Sequence, residues 1–121
     1  MKFKIKCSPP SVDSVYQIIW SLKEVQLKPE AKLFKNNIKL YTPLPDISDD
    51  KPLKIAIEVY GKWYTKDGKI RTRDIQNSEK VLIDAIFEKI GINDSHIFYK
   101  TTKKIQSEED YIVVEIENYN E

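Results

Sequence analysis

The residues that could carry out chemistry are concentrated between positions 71 and 96 of the sequence. Two carboxylates, Asp74 and Asp94, stand near the ends of this segment, and Lys80 and Asp84 lie between them, four residues apart. Carboxylate oxygens without histidine or thiolate are the ligands that Mg²⁺ prefers. A lysine beside such a metal can stabilise the charge that develops on a phosphate during cleavage. The segment therefore contains the residue types needed for metal-assisted cleavage of a phosphodiester.

The same spacing is also compatible with purely structural roles. Asp74 or Asn77 can cap a helix, Lys80 and Asp84 can form an i, i+4 pair, and Asp94 can be a turn residue. A helix about 20 Å long, at 1.5 Å per residue, would separate Asp74 from Asp94. Only the fold, or a second subunit, can bring these two carboxylates together. From the spacing alone, the structural interpretation is the simpler one.

Length and composition narrow the class of protein further. The chain of 121 residues predicts one domain, residues 1–121, with a modest core. A single cysteine, Cys7, and a single histidine, His96, exclude a disulfide framework, a cysteine-built zinc site and multi-histidine metal sites. We interpret Cys7 as a small buried hydrophobe and expect a reducing, cytoplasmic location. No apolar run approaches the roughly 20 residues that a membrane span needs.

The formal net charge of the whole chain is only +1, but positive charge is concentrated in one segment. Between residues 62 and 73 there are five basic residues and one acid, and the chain's only arginines, Arg71 and Arg73, are among them. The guanidinium group binds phosphate bidentately, so the segment is typical either of a polyanion-binding face or of a solvated loop. Trp63 and Tyr64 are a base-stacking platform in one interpretation and packing at the base of the loop, or at a dimer interface, in the preferred one.

Hydrophobic periodicity predicts an α+β fold with a mixed four-stranded sheet and two or three helices packed on it. For residues 12–26 the apolar spacing indicates an amphipathic helix, although irregular structure is the alternative. The predicted buried faces consist of Phe3, Ile5 and Cys7 on the first strand and of Leu33, Phe34 and Ile38 on the helix that begins at Pro29. A C-cap at Gly91 and a turn at Asp67-Gly68 are also predicted. The predicted strands are residues 2–7, 53–60, 96–104 and 111–117, and the last two are predicted to form a hairpin. One further helix is predicted to begin at Pro29 and another to cover residues 77–90.

The chain resembles the RusA-type Holliday junction resolvases. The similarity rests on the run Arg73-Asp74-Ile75-Gln76-Asn77, followed by Lys80, Asp84, Gly91 and the stretch Asn93-Asp94-Ser95-His96-Ile97. The family has an Asp-x-Asp-Asn-x-x-Lys run that opens a helix, then an aspartate, a terminating glycine and an Asp-Asp pair before a strand. The proline-containing break after the first strand extends the similarity over nearly the whole chain.

The resemblance implies a dimeric, Mg²⁺-dependent endodeoxyribonuclease that resolves four-way junctions and other branched DNA. It implies that Asp74, Lys80 and Asp94 are catalytic, that Asp74, Asp94 and Gln76 surround the metal, and that Asn77 and Asp84 support the site. The implied DNA-binding residues are Lys62, Lys66, Lys69, Arg71, Arg73 and Lys104.

Two positions depart from the family pattern. Gln76 and Asn93 stand where the family has acids, and a neutral glutamine cannot replace carboxylate charge at a Mg²⁺ site. Glu79 is a candidate substitute acid. The alternatives are therefore a protein of this type that binds branched DNA with impaired cleavage, and a small α+β RNA-binding or toxin-like interaction domain.

Overall fold

In the computed structural model, the described residues are 1–9, 16–19, 24–73 and 75–120, with only the backbone described at 16–19 and at Asn77. The strands are β1 (Lys2–Ile5), β2 (Tyr16–Ile19), β3 (Glu24–Leu27), β4 (Leu53–Gly61), β5 (Ile97–Gln106) and β6 (Tyr111–Asn118). The helices are α1 (Pro29–Tyr41) and α2 (Gln76–Ile90), and a short 3-10 helix covers Asp94–His96. The architecture is α+β, as the sequence predicts.

The central sheet has four strands in the order β1-β6-β4-β5. β4 pairs in parallel with β5 and antiparallel with β6, so the sheet is mixed. Alternation along β4 buries Leu53, Ile55, Ile57 and Val59, and the same face of the sheet shares one hydrophobic core with both helices. The opposite face carries half-exposed side chains that are joined by ion pairs such as Lys103–Glu58.

The predicted hairpin between the last two strands is wrong, because β4 lies between β5 and β6. The acidic turn at residues 107–110 carries the chain across the end of β4, where the Ser107 amide donates to the carbonyl of Gly61 at 2.8 Å. Two strand spacings of about 4.8 Å are within the reach of four residues. A Cβ on Gly61 would lie 2.9 Å from Oδ1 of Asp110, so a larger residue there would require the Asp110 side chain to move.

The helix indicated for residues 12–26 is also wrong wherever the structure describes this segment. β2 and β3 form a two-stranded antiparallel sheet, with Tyr16 opposite Leu27 and Ile19 opposite Glu24. The segment is rich in β-branched and aromatic residues, which favour extended structure over a helix. Residues 10–15 and 20–23 lie outside the described part of the chain.

Helix α1 begins at Pro29 as predicted, since proline is favoured in the first turn. Its buried side chains are Ala31, Phe34 and Ile38, whereas Leu33, which the sequence places on the apolar face, is 64% exposed. Ala31, Phe34 and Ile38 follow i, i+3, i+7 spacing, which turns the side chain of Leu33 away from the core. Lys35 and Lys39 pair with Glu88 of α2 at 3.0 and 2.7 Å, and these pairs connect the two helices.

Helix α2 ends at Gly91, as the sequence predicts, with a left-handed backbone (φ 75°). Its N-cap position is Ile75, so the predicted cap at Asn77 is wrong, because Asn77 is already the second helical residue. The alternative cap, Asp74, lies outside the described residues. In the first strand, Ile5 is fully buried and Phe3 and Cys7 pack against the core, in agreement with the predicted face.

Candidate active site

A groove with a volume of about 530 Å³ lies between α2 and the start of β5. Its walls combine apolar, acidic and basic side chains. They are Gln76, Glu79, Lys80, Ile83, Asp84, Asp94, Ile97, Phe98 and Lys100. Five of these residues were singled out from the sequence, namely Gln76, Lys80, Asp84 and Asp94, with Glu79 as the candidate substitute acid. The fold thus brings together groups that are up to 18 positions apart in the chain.

The regular geometry of α2 explains why three of these side chains share one wall. Gln76, Lys80 and Asp84 follow each other at i, i+4 and i+8, so they form a stripe along one helical face. Val81, Leu82 and Ala85, which follow members of this stripe in the sequence, are buried in the core and fix the rotation of the helix. Gln76, Lys80 and Asp84 therefore form a polar stripe that lies beside the buried apolar face of the helix.

Asp94 reaches the groove because the chain reverses direction directly after α2. Gly91 adopts the left-handed conformation, and its amide donates to the carbonyl of Phe87 at 3.0 Å. The side chain of Asn93 then accepts a hydrogen bond from the Ser95 amide at 2.8 Å and caps the 3-10 helix that begins with Asp94. Asn93 therefore has a structural role at the position where the resembling family has an acid.

Asp84 and Asp94 interact through their charges. The pKa of Asp84 is raised above its ordinary value, first because the carboxyl is partly buried and next because Asp94 is negative, while Lys80 opposes the shift. Two carboxylates that repel each other beside a lysine form a site where a divalent cation would relieve the repulsion. The resemblance assigns Asp84 a supporting role, and in the structure the charge of Asp94 acts on the carboxyl of Asp84.

An ion pair between Glu79 and Lys100 spans the two walls of the groove. The Lys100 Nζ atom lies 2.5 Å from Oε1 of Glu79, whose side chain is 18% exposed. Glu79 is therefore in the groove, as required of a substitute acid, but its charge is balanced by a lysine from β5. Sequence reasoning did not select Lys100 or Phe98, although the alternation along β5 and the proximity of Asp94 were signals that could have indicated them.

The donor set fits Mg²⁺ in chemical type. Asp84, Asp94 and the amide oxygen of Gln76 are hard oxygen donors, and Mg²⁺ commonly takes one or two carboxylates with waters and substrate phosphates as its other ligands. Within the described residues, which do not include Asp74, no three side chains of His, Cys, Asp or Glu come close enough to share a metal ion. A metal site here would need Asp74, or the substrate itself, to complete it.

An arm that contains a turn, residues 62–71, carries most of the basic residues assigned to DNA binding. Tyr64 and Ile70 form an isolated bridge, and the chain turns at Asp67-Gly68 as predicted, with Gly68 at φ 79°. Lys66, Lys69 and Arg71 are exposed on this arm, and the Arg71 Nε atom donates to the carbonyl of Tyr64 at 3.1 Å. Lys62 is also exposed and lies 3.8 Å from Glu108.

Arg73 and Lys104, by contrast, make contacts within the fold. The Arg73 guanidinium donates to the carbonyl of Pro9 at 2.8 Å and lies 5.2 Å from the ring centroid of Trp63. Lys104 donates to the Arg73 carbonyl and lies 4.8 Å from the same ring. Trp63 is 5% exposed and donates from Nε1 to the carbonyl of Val59, which confirms the packing interpretation for this residue. Together these contacts hold the backbone immediately before Asp74.

The fold and the groove together are those of a small α+β domain with a mixed sheet and a groove in which acidic residues and lysines converge. A model of the endodeoxyribonuclease RusA family matches residues 17–117 of the 121-residue chain, and the chain belongs to this family. No curated protein matches the sequence.

Proposed function

We propose that this protein is a Mg²⁺-dependent endodeoxyribonuclease that cuts four-way DNA junctions and other branched DNA. The observation that carries the proposal is the convergence of Lys80, Asp84 and Asp94 on one groove in a member of this family. Family membership indicates the class of activity, and the groove supplies the residue types that this activity requires.

In this proposal, Asp74 and Asp94 hold the metal, Gln76 contributes an amide oxygen, and Asp84 and Asn77 support the site. When bound, Mg²⁺ would activate a water and neutralise charge on the phosphate oxygens. Lys80 would donate to the phosphate and stabilise the charge that develops as the P–O bond breaks. Gln76 leaves the site one negative charge short, so we expect weak metal binding and slow cleavage.

The DNA would approach along the basic arm. Lys62, Lys66, Lys69 and Arg71 are exposed there and can contact phosphates, which supports binding that is mainly electrostatic and independent of sequence. Arg73 and Lys104, which the resemblance also assigns to DNA, have partners within the fold. We propose that they act on the DNA surface chiefly by holding the base of the arm.

We further propose that the active form is a homodimer in a reducing, cytoplasmic compartment. A four-way junction is nearly two-fold symmetric, and a C2 dimer supplies two equivalent sites for two matched cuts. The chain's only cysteine is a free thiol, which supports the reducing compartment. Among the described residues, no helix is long and apolar enough to cross a membrane.

A second candidate is a protein that binds branched DNA but no longer cleaves it. Gln76 favours this alternative because it replaces a motif acid, and Asn93 does so because its side chain is already used as a cap. The RNA-binding or toxin-like alternative loses one of its two stacking residues, since Trp63 is buried, whereas Tyr64 is 49% exposed.

Incubation with a synthetic four-way junction, with and without Mg²⁺, tests the proposed function. We expect symmetric nicks that need Mg²⁺, are absent on a linear duplex of the same sequence and are lost in Lys80→Ala and Asp94→Asn. Junction binding without cleavage, by both the wild type and Gln76→Asp, would establish the binding-protein alternative. Failure to bind the junction at all would contradict both candidates.

A further inference from the structure

Phe98 is an exposed aromatic residue on the wall of the groove. Its side chain is 60% exposed, although it belongs to a strand of the central sheet. An exposed aromatic ring is not unusual by itself, but this ring lies in the groove beside the acidic residues and lysines, where it is available to a ligand. Ile83 and Ile97 line the same groove and extend the apolar wall.

The sheet register explains how Phe98 comes to face the groove. Leu53 of β4 pairs with Ile97, and Lys54 pairs with Tyr99, so the register shifts by one residue and Phe98 has no partner on β4. Shifts of this kind redirect one side chain and are frequent next to active sites. Tyr99 then points to the opposite face, where its ring centroid lies 5.6 Å from that of Tyr119. The Nζ atom of Lys54 lies 5.1 Å from the centroid of the Tyr99 ring.

Lys100 lies two residues further along β5, on the groove side. Glu79 accepts one hydrogen bond from its ammonium group at 2.5 Å and holds it at the groove wall. An ammonium group has three donors, so at least one more can reach a phosphate oxygen. The side chain of Lys100 is 48% exposed, which leaves room for that contact.

The groove thus presents an aromatic ring and a fixed ammonium side by side, close to Lys80 and Asp94. A nucleotide has the same pair of features, a flat base and a phosphate. The groove volume of about 530 Å³ is in the range of roughly 300–1,000 Å³ that is usual for sites of small organic ligands. Stacking on aromatic rings is available to every base, so such a contact does not depend on sequence.

We propose that Phe98 and Lys100 form a nucleotide subsite, in which a base with an uncovered face stacks on Phe98 while a neighbouring phosphate accepts a hydrogen bond from Lys100. This inference rests on the proposed function and adds the feature of the substrate that the groove recognises. In an intact duplex both faces of each base are covered by neighbouring bases. Phe98 can therefore contact a base only where stacking is interrupted, which selects branch points and single strands over linear duplex.

Two matched pairs of variants on β5 test the subsite. Phe98→Ala and Lys100→Gln alter the groove face, and Tyr99→Ala and Lys103→Gln alter the opposite face of the same strand. Lys103 is a close match because it also pairs with a glutamate, Glu58, at 3.4 Å. Dissociation constants would be measured in EDTA for a four-way junction, a single strand and a linear duplex over a range of salt concentrations.

For Phe98→Ala we expect about a tenfold loss of affinity for the junction and the single strand, with the duplex unchanged. Phe98→Trp should restore the preference because it keeps an aromatic face. Lys100→Gln should reduce the slope of log affinity against log salt by about 0.7–0.9, the contribution of one phosphate contact. Tyr99→Ala and Lys103→Gln should behave like the wild type.

Other outcomes separate this inference from the proposed function. Equal effects of Phe98→Ala on junction and duplex, or no effect on either, would contradict base stacking even if the wild type cleaves junctions. Equal behaviour of Lys100→Gln and Lys103→Gln would contradict the phosphate contact. A wild-type protein that binds none of the three DNAs would overturn the proposed function as well as the subsite.

Discussion

At the scale of single residues, Asp84 gains a role that its sequence position does not reveal. In the sequence it is one polar residue in an apolar helix. In the structure it shares the groove with Asp94, and its pKa is raised by burial and then by the charge of Asp94. A site that holds two mutually repelling carboxylates gives up stability in the absence of a cation, and such a cost is typical of functional sites.

We therefore predict that Asp84→Asn stabilises the metal-free protein at neutral pH. The folded-state pKa of Asp84 lies above the unfolded value of about 3.9, so its ionised form lowers the free energy of unfolding at pH 7. The penalty should decline as the pH falls through the folded-state pKa and vanish below the unfolded one. Thermal unfolding at pH 7 should show a higher Tm for Asp84→Asn than for the wild type, and the gain should shrink at pH 4.

The same variant provides a test of the metal site. Mg²⁺ should raise the Tm of the wild type more than that of Asp84→Asn, because the cation relieves a repulsion that the variant lacks. Asp67→Asn, on the exposed turn of the arm, is the control and should leave both values unchanged. A lower Tm for Asp84→Asn in EDTA would show that the carboxylate is stabilised by groups other than those identified.

Gln76→Asp is the second prediction at this scale. The substitution restores a carboxylate at an exposed groove position of α2, so it should tighten Mg²⁺ binding by tenfold or more, about 1.4 kcal/mol, and increase junction cleavage. Isothermal titration with Mg²⁺ and single-turnover cleavage measure the two effects. Gln26→Asp, on β3 and outside the groove, is the control substitution. Unchanged Mg²⁺ affinity in Gln76→Asp would place the metal elsewhere.

At the scale of structural elements, the end of α2 decides whether the groove forms. Gly91 turns the chain so that the 3-10 helix presents Asp94 beside Asp84. A Cβ at Gly91 would meet nothing within 4 Å, so any cost of a larger residue comes from the backbone alone. Gly91→Ala should therefore lower the free energy of unfolding by about 1 kcal/mol, and Gly91→Asn by less, as measured by urea unfolding. Equal stability of the alanine and asparagine variants would argue against the left-handed cap.

The arm makes a separate prediction that distinguishes its two arginines. Arg73 is tied to Pro9 and Trp63, so Arg73→Ala should lower the free energy of unfolding by about 1–2 kcal/mol. Arg71 is exposed, so Arg71→Ala should leave the Tm unchanged and reduce the salt dependence of DNA binding by the equivalent of one phosphate. Urea unfolding and binding titrations measure both quantities. The reverse assignment of effects would mean that Arg73 contacts the DNA directly.

At the scale of the whole molecule, the strand order of the sheet separates β5 from β6, although these two strands are consecutive in the chain. β5 is an edge strand whose groove-facing residues border α2, while β6 lies inside the sheet between β4 and β1. This arrangement leaves one edge of β5 without a neighbouring strand in the central sheet. The basic arm follows β4 directly, and the contact of Lys104 with Arg73 ties the segment after the arm to β5.

We predict that the protein is a homodimer in solution. Two matched cuts in one junction need two equivalent sites, and two-fold symmetry supplies them. Sedimentation equilibrium at micromolar concentration should give twice the chain mass of 14.2 kDa. A mixture of wild type with an excess of Lys80→Ala should produce single nicks instead of paired ones. A monomer, both alone and with DNA, would contradict the prediction.

The sequence by itself determined the elements that depend on local patterns. Strict alternation predicts β4, a glycine after an apolar helical run predicts the end of α2, and Pro29 predicts the start of α1. The similarity of residues 73–97 to a known family also identifies Gln76, Lys80, Asp84 and Asp94, because residue identity and spacing are properties of the chain. These features are fixed by interactions within one or two turns of helix, or along one strand.

Only the tertiary structure decided how these elements combine. The insertion of β4 between β5 and β6 replaces a predicted hairpin, because strand order depends on contacts between residues far apart in the chain. The coupling of Asp84 with Asp94, the pairing of Glu79 with Lys100 and the exposure of Phe98 arise where α2 packs beside β5. Distance between side chains and access to solvent are set by packing, and no local pattern encodes them.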